Sequence, residues 1–296
     1  MAPRSSPREY RVAVPHGFRL RSTVLSHGWV FLPPFAWDGV NLELRVSHGR
    51  SRAQVRVAAA SPQELVLHAS GPHTGTGVTA AVRWALRLDE DFTALRERAA
   101  HDPLVKKALG LGWGRLLRAP TVWEEAVRVL CTTNIQWGGT VAMMRGLVQL
   151  GGGYFPTPAD VARFGEQRLK TEARMGYRAA SLIALARDVN HGFDLEAWKV
   201  APPGADELES TIRSWHGFGP YATAHLLVQL GHYGRLPIDS EVRAFHVTKS
   251  GRQLSDARIK ALYAPYGEYA FLAYKLRRIA LRRNWIGAEV SGASKG

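Results

Sequence analysis

Two spacings of apolar residues divide the chain near residue 90. Before it, apolar and polar positions alternate in short runs: "VNLELRVSH" (40–48), "AQVRVAAA" (53–60) and "ELVLHAS" (64–70). A period of two puts every second side chain on one face, so each run predicts a strand buried on one side. "GRS" (49–51) and "SPQE" (61–64) supply the turns, "GPHTGTG" (71–77) a loop, and "VTAAVRWALRL" (78–88) is predicted as a further strand. The sum is a small antiparallel sheet. In "STVLSHGWVFLPPFAWDG" (22–39), Trp29, Phe31, Phe35 and Trp37 are expected as packing residues rather than ligand-stacking ones.

After it, the spacing becomes helical. "LDEDFTALRERAAHDPLVKKAL" (88–109) opens acidic and turns basic, with apolar residues three and four apart. Helices are then predicted over 121–134, 139–150, 157–170, 178–189, 205–215, 221–231, 238–247, 255–264 and 268–283, separated by Gly and Pro breaks. The expected fold is α+β: an antiparallel β domain over 1–90, a larger all-α domain over 91–286 packed on it, and a frayed tail over 287–296.

Charge adds a partner. The 296 residues carry a formal charge of +14, with a pI near 10.3, which points first to nucleic acid and second to an anionic membrane surface. Cys131 is the sole cysteine, so neither an intrachain disulfide nor an all-cysteine metal site can form. The start "MAPRSSPREYRVAVPHG" lacks the apolar run of a signal peptide, and no window reaches the roughly 18 apolar residues of a membrane helix. A soluble, intracellular monomer is expected.

The chemistry concentrates in "WHGFGPYATAHLLVQLGHYGRLPIDSEVRAF" (215–245). Gly217 and Gly219 form a tight hairpin between helices, and glycine there allows unusual backbone angles and close approach to a ligand. Pro220 suits a first helical position. The amides that follow, at Tyr221 and Ala222, offer a helix start to a phosphate oxygen. Asp239, 20 residues after Gly219, reads by itself as a helix N-cap. Together the hairpin and the carboxylate suit cleavage of an N-glycosidic bond. The hairpin grips the backbone, and the carboxylate stabilises an oxocarbenium-like transition state or orients water.

A hairpin Gly-x-Gly followed by Pro-x-Asp resembles the signature of the helix–hairpin–helix DNA glycosylase superfamily. "LRLDEDFTALRERAAHDP" (86–103), "CTTNIQWGGTVAMMRGLVQLGGGYFPTPADVA" (131–162), "MGYRAASLIALARDV" (175–189) and "YAPYGEYAFLAYKLRR" (263–278) resemble segments of its alkylbase (3-methyladenine) and 8-oxoguanine branches. The resemblance spans roughly residues 80–285, and both branches carry an N-terminal β domain. It implies a DNA repair enzyme that flips a damaged base out of duplex DNA. Asp239 falls at the catalytic aspartate. Gly217, Phe218, Gly219, Tyr221 and Ala222 fall at the phosphate hairpin, whose backbone at Gly217 and Gly219 would hold K+ or Na+. Strand-cleaving members keep a Schiff-base lysine where this chain has Tyr221, which implies base release without strand cleavage. Asn134, Tyr177 and Arg178 fall at the duplex wedge and opposite-base positions, while an arginine of the 8-oxoguanine branch is replaced by Gly139. His225, Gln229, Glu241 and Phe271 depart from that branch's base pocket. With Trp137, Trp215, Tyr221 and Tyr274, the aromatic set could line a pocket for an alkylated purine, the leading substrate, or could be core; the alternatives are a glycosylase for an oxidised or otherwise modified base and a non-catalytic damage-binding protein. The iron–sulfur branch needs four cysteines, so no cluster is expected. Lys170 and Lys249 are other amines that could reach a sugar, and His246 is left unassigned.

Overall fold

The computed structural model describes residues 6–48, 51–247 and 251–281. The frayed tail expected over 287–296 and Lys249 lie outside the described residues. Strands β1 (Arg8–Ala13), β2 (Ala36–Trp37), β3 (Leu42–His48), β4 (Ser51–Ser61) and β5 (Glu64–Ser70) form one antiparallel sheet in the order β1-β5-β4-β3-β2. The alternation works as read. Leu42, Leu44 and Val46 of β3, Val55 and Val57 of β4, and Leu65 and Leu67 of β5 are all buried on one face. The register sets Leu44 opposite Val55 and Val57 opposite Leu67, so the buried rows meet across strands. β1, "REYRVA", had not been predicted. Its charged, short sequence suits an edge strand, paired only with β5.

Thirteen helices are described: α1 (Leu20–Val24), α2 (Gly75–Ala85), α3 (Thr93–Arg98), α4 (Pro103–Gly110), α5 (Val122–Thr132), α6 (Trp137–Leu150), α7 (Pro158–Thr171), α8 (Arg178–Asn190), α9 (Ala205–Ser214), α10 (Pro220–Leu230), α11 (Ser240–Phe245), α12 (Asp256–Tyr263) and α13 (Ala270–Leu281). Helix α2 corrects the strand predicted at 78–88. The Thr74 side chain caps it by accepting the Gly77 N–H at 3.1 Å, and Val78, Ala81, Val82 and Ala85 recur at helical spacing on its buried face. The segment 88–109 breaks into α3 and α4, because Asp102 caps a new helix with Pro103 at its first position. Of the four aromatics expected to pack, Trp29 and Phe35 are buried and Trp37 partly so, but Phe31 is 65% exposed.

Two apolar cores result. One runs from the sheet into α5, α6, α8 and α9; the other gathers α3, α4, α12 and α13. Helix α10 lies at their seam, giving Leu226, Leu227 and Leu230 to the first and Val228 to the second. No helix among the described residues is long and apolar enough to cross a membrane.

Candidate active site

At the seam a cavity of about 710 Å³ opens, lined by residues from both cores. That is ample for one nucleobase and its sugar on the usual scale of ligand sites. Four elements supply its walls: the Ser26–Phe31 segment, the link from α5 to α6, the start of α10 with Asp239, and α13.

The hairpin forms one rim. Gly217 has φ +89°, and a Cβ there would come within 2.9 Å of Ser181 Oγ and Leu130 Cδ1, so this position requires glycine. Gly219 corrects the expectation: with φ −74° it is ordinary backbone, and open space surrounds its missing Cβ. It is the N-cap of α10 and has no capping side chain, which leaves the first amides of α10 without a side-chain acceptor. Below the turn, Phe218 meets Trp215 edge-on at 5.2 Å, and Trp215 lies parallel to Trp198 at 5.7 Å. Trp215 therefore supports the hairpin and does not line the cavity, contrary to its expected place in the base pocket. His216 Nδ1 and Ser181 Oγ, 2.7 Å apart, tie the turn to α8.

Asp239 does two things at once. Oδ1 accepts the Val242 N–H at 2.8 Å and caps α11, while Oδ2 accepts the Tyr221 hydroxyl at 3.4 Å on the cavity wall. The cap reading and the cavity reading are compatible because a carboxylate has two oxygens. Burial, with Asp239 next, pushes the Tyr221 phenol well above its ordinary range, so it stays a neutral donor. His225, one turn further along α10, stacks on Trp29 at 5.3 Å with ring planes 13° apart. Burial first, then Lys275, pushes its pKa down to about 4. Trp29 is itself fixed by donating Nε1–H to Glu125 at 2.5 Å.

Helix α13 turns one face to the cavity: Phe271, Tyr274, Lys275, Arg278 and Ile279. Glu241 stands opposite and is paired with Arg278 at 2.6 Å; the same arginine donates to the Tyr274 hydroxyl at 3.0 Å. Trp137 also lines the cavity, packed over Gly28. Gln229 does not. It is buried at the far end of α10, where its side chain accepts from Arg87 at 3.2 Å.

The residues expected at the wedge stand outside the cavity lining. Asn134, at φ +45°, is exposed just before Ile135 and Gln136, which do line it. Tyr177 is 58% exposed at the start of α8. Arg178, implied as an opposite-base contact, is only 5% exposed. Its guanidinium donates to Thr133 Oγ1 at 3.2 Å and to the Thr133 carbonyl, and packs 4.5 Å from the Tyr177 ring. It ties Thr133, the residue before Asn134, to Tyr177. His246 is buried, bonded to the Val242 carbonyl at 2.7 Å and the Tyr263 hydroxyl at 2.8 Å.

Neither a protein-family model nor a curated protein matches the chain. Solved structures do. The 3-methyladenine DNA glycosylase of Archaeoglobus fulgidus superposes with a TM-score of 0.73 at 15% identity, covering 92% of this chain and 98% of that one. The 8-oxoguanine glycosylase/lyase of Clostridium acetobutylicum gives 0.68 at 18% identity, covering 93% and 98%. The chain has the fold of these DNA glycosylases.

Within this glycosylase fold, the sequence reading missed His27, Lys275 and Arg278 on the cavity wall, and expected Trp29 and Phe31 there only as packing residues. Lys275 and Arg278 carried a signal, since they continue the helical face marked by Phe271 and Tyr274. The 26–31 segment showed only its aromatics, because the tertiary fold alone brings it to α10. Of the two lysines considered for sugar attack, Lys170 is paired with Glu166 at 2.6 Å on α7 and is absent from the cavity lining; Lys275, which was not among them, lines the cavity. Among the described residues no group of three or more His, Cys, Asp or Glu side chains could hold a metal ion.

Proposed function

We propose that this protein is a DNA N-glycosylase that flips a modified purine from the duplex and hydrolyses its glycosidic bond, leaving an intact abasic strand. The observation that carries the reading is Asp239: one carboxylate oxygen caps α11 while the other faces the cavity beside Tyr221. In this reading the amides of Tyr221 and Ala222 would hold a DNA phosphate at the start of α10. The sugar then lies near Asp239, whose negative charge stabilises the oxocarbenium character that develops as the C1′–N bond breaks. Water adds to C1′ and gives up a proton; the base leaves with the bonding electrons, taking up a proton if it was neutral in the duplex and none if alkylation had made it cationic. Tyr221 offers no amine, so no Schiff base forms there. Asn134 and Tyr177 fill the gap left in the stack, with Arg178 tying Thr133 to Tyr177.

The aromatic walls, Trp29 with His225 and Phe31, Trp137, Phe271 and Tyr274, suit a flat modified base and support an alkylated purine as substrate. An oxidised purine is a second reading, favoured by the polar atoms of His27 and Lys275 on the same wall. A monovalent cation at the hairpin would take the backbone oxygens of Gly217 and Gly219. The Gly219 carbonyl already accepts the Thr223 N–H at 3.0 Å, so the ion would use its second lone pair.

The test is a panel of duplexes, each with one modified base, assayed in single turnover. The expected result is free base and an uncut abasic strand, with no protein–DNA adduct trapped by borohydride. Strand nicking with borohydride trapping would overturn the hydrolytic assignment and direct attention to Lys275.

A further inference from the structure

We propose that Arg145 and Arg174 grip the backbone of the DNA strand opposite the flipped base, on the far side of Asn134 and Tyr177 from the hairpin. This contact rests on the glycosylase reading and extends it from the target strand to its complement. Carboxylates are missing from the segments that carry the wedge. No Asp or Glu occurs from Ala126 to Ala159, or from Ala173 to Arg187, although the chain holds 25. The two glutamates that precede Arg174 are taken, Glu172 by Arg168 at 2.7 Å and Glu166 by Lys170 at 2.6 Å. Arg145 and Arg174 are exposed, and neither pairs with a carboxylate among the described residues. Exposed arginines elsewhere do pair: Arg56 with Asp38 and Arg235 with Asp206. Each guanidinium is a permanent cation whose planar donors match phosphate oxygens.

The two arginines flank the point where α6 touches the link from α7 to α8. A Cβ on Gly146 would lie 2.5 Å from the Ala173 Cα and 2.8 Å from the Glu172 carbonyl oxygen. Arg145 precedes one contact residue and Arg174 follows the other, so their Cα atoms lie within roughly 12 Å, at ~3.8 Å per residue step. Arg174 holds φ +57°, a left-handed angle uncommon for a residue with a side chain. On α6, Gly138, Ala142, Arg145 and Gln149 share one outward face, and open space surrounds the missing Cβ of Gly138. A phosphate backbone can therefore lie close to that helix. Contacts also fix the order of features across the surface. The hairpin touches α8 at Ser181, Tyr177 lies one turn before Ser181, and Arg174 precedes Tyr177. Asn134 is placed beside Tyr177 by the bond from Arg178 to Thr133. Trp137 lines the cavity, and from it α6 rises about 12 Å to Arg145, at ~1.5 Å per residue. Hairpin and cavity thus lie on one side of Asn134 and Tyr177, and the arginines on the other. A plug enters the stack between two strands, so groups on its two sides face different backbones. The hairpin takes the strand whose base is flipped, which leaves the complement to the arginines, at a distance on the order of a groove width.

The experiment measures affinity against salt for a duplex carrying one tetrahydrofuran abasic site, with wild type, Arg145→Gln, Arg174→Asn and the double variant. Asparagine tolerates the left-handed angle at 174. Each single change should weaken binding about tenfold at low salt and lower the slope of log affinity against log salt concentration by about one. The double variant should lose about two from that slope. Arg187→Gln removes an exposed arginine near the other end of α8 and should change affinity by less than about twofold. Uncharged methylphosphonate linkages then assign the strand. In the complement, opposite the abasic site, they should erase the difference between wild type and the double variant; in the target strand they should leave it. A double variant within about twofold of wild type and with the same slope would overturn the proposal, as would a difference erased only from the target strand. The free proteins should melt together, since neither side chain has a carboxylate to lose, and a large fall in Tm would show a structural role instead. Base release plays no part in these measurements. Strand contact through the arginines without release of any base would sustain the proposal and sink the glycosylase activity.

Discussion

Helix α10 has two ends that the chain treats in opposite ways. At its C-terminal end the carbonyls of Leu227, Val228 and Gln229 are engaged. Arg87 donates to the carbonyls of Val228 and Gln229 at 3.2 and 2.8 Å, Arg118 donates to Gln229 at 3.3 Å, and Gly231 at φ +104° closes the turn. Glu90 binds both arginines, at 2.6 and 2.9 Å, and takes the hydroxyl of Tyr233. Burial alone would raise the Glu90 carboxyl, but Arg87 and Arg118 hold it below its ordinary value. At the N-terminal end nothing is closed. Gly219 provides no capping side chain, Tyr221 and His225 face a cavity, and the nearest carboxylate keeps one oxygen on the cavity wall. A helix needs partners at both ends. Here one end finds them inside the protein, and the other is left for a ligand. The locked end positions the open one, since α10 cannot shift along its axis without breaking the arginine bonds.

The sharpest way to separate the two ends is Asp239→Asn. An asparagine can still cap α11, so the fold and duplex binding should survive. Loss of the negative charge should reduce base release by a factor of about a thousand or more, in line with several kcal/mol of transition-state stabilisation. Release within a few-fold of wild type would leave Asp239 with its cap alone. At the other end, Arg87→Met should cost on the order of 3 kcal/mol in chemical denaturation, because it removes one of the two arginines that hold Glu90 and the donor to the Val228 and Gln229 carbonyls. The relative rates on different modified bases should not move, and a changed substrate order would mean the two ends are not separable.

The hairpin glycines offer a finer contrast. Gly217→Ala should destabilise the free protein by about 1–3 kcal/mol, through positive φ and collision with Ser181 and Leu130. Gly219→Ala should cost the free protein under about 1 kcal/mol, so a larger loss in duplex affinity would report close approach of a phosphate to that backbone. Equal behaviour of the two variants in both assays would remove the distinction drawn from their angles. The smallest effect concerns His225. The unfolded chain takes up a proton there near pH 6.5, while the folded chain resists until about pH 4. Stability from this group is therefore complete above pH 6.5 and is lost as pH falls toward 4. His225→Phe should flatten the decline in Tm between about pH 7 and 4.5, by the equivalent of about 1 kcal/mol after allowance for solvent access. An unchanged slope would show that the ring is not kept neutral by its surroundings.

The periodicities of the chain determined much by themselves. Alternation in 40–70 sufficed for β3, β4 and β5, because a strand with one buried face must alternate. Helical spacing, with Gly217, Pro220 and Asp239 at its breaks, located the hairpin and the capped carboxylate, because caps and turns are local chemistry. Strand β1 and helix α2 escaped for different reasons. An edge strand buries little, and an Ala-rich helix resembles an alternating run over short windows. Which of the candidate residues share the cavity wall was decided by tertiary packing. Trp215 and Gln229 occupy helix faces as suited to a cavity as those of Tyr221 and His225, yet one turns under the hairpin and the other into the Arg87 network. His27, Trp29 and Phe31 reach the cavity from nearly 200 residues before α10 in sequence. Local spacing specifies which side of an element is apolar. Which neighbour that side meets, and where two cores leave a gap between them, depends on how all the elements pack at once.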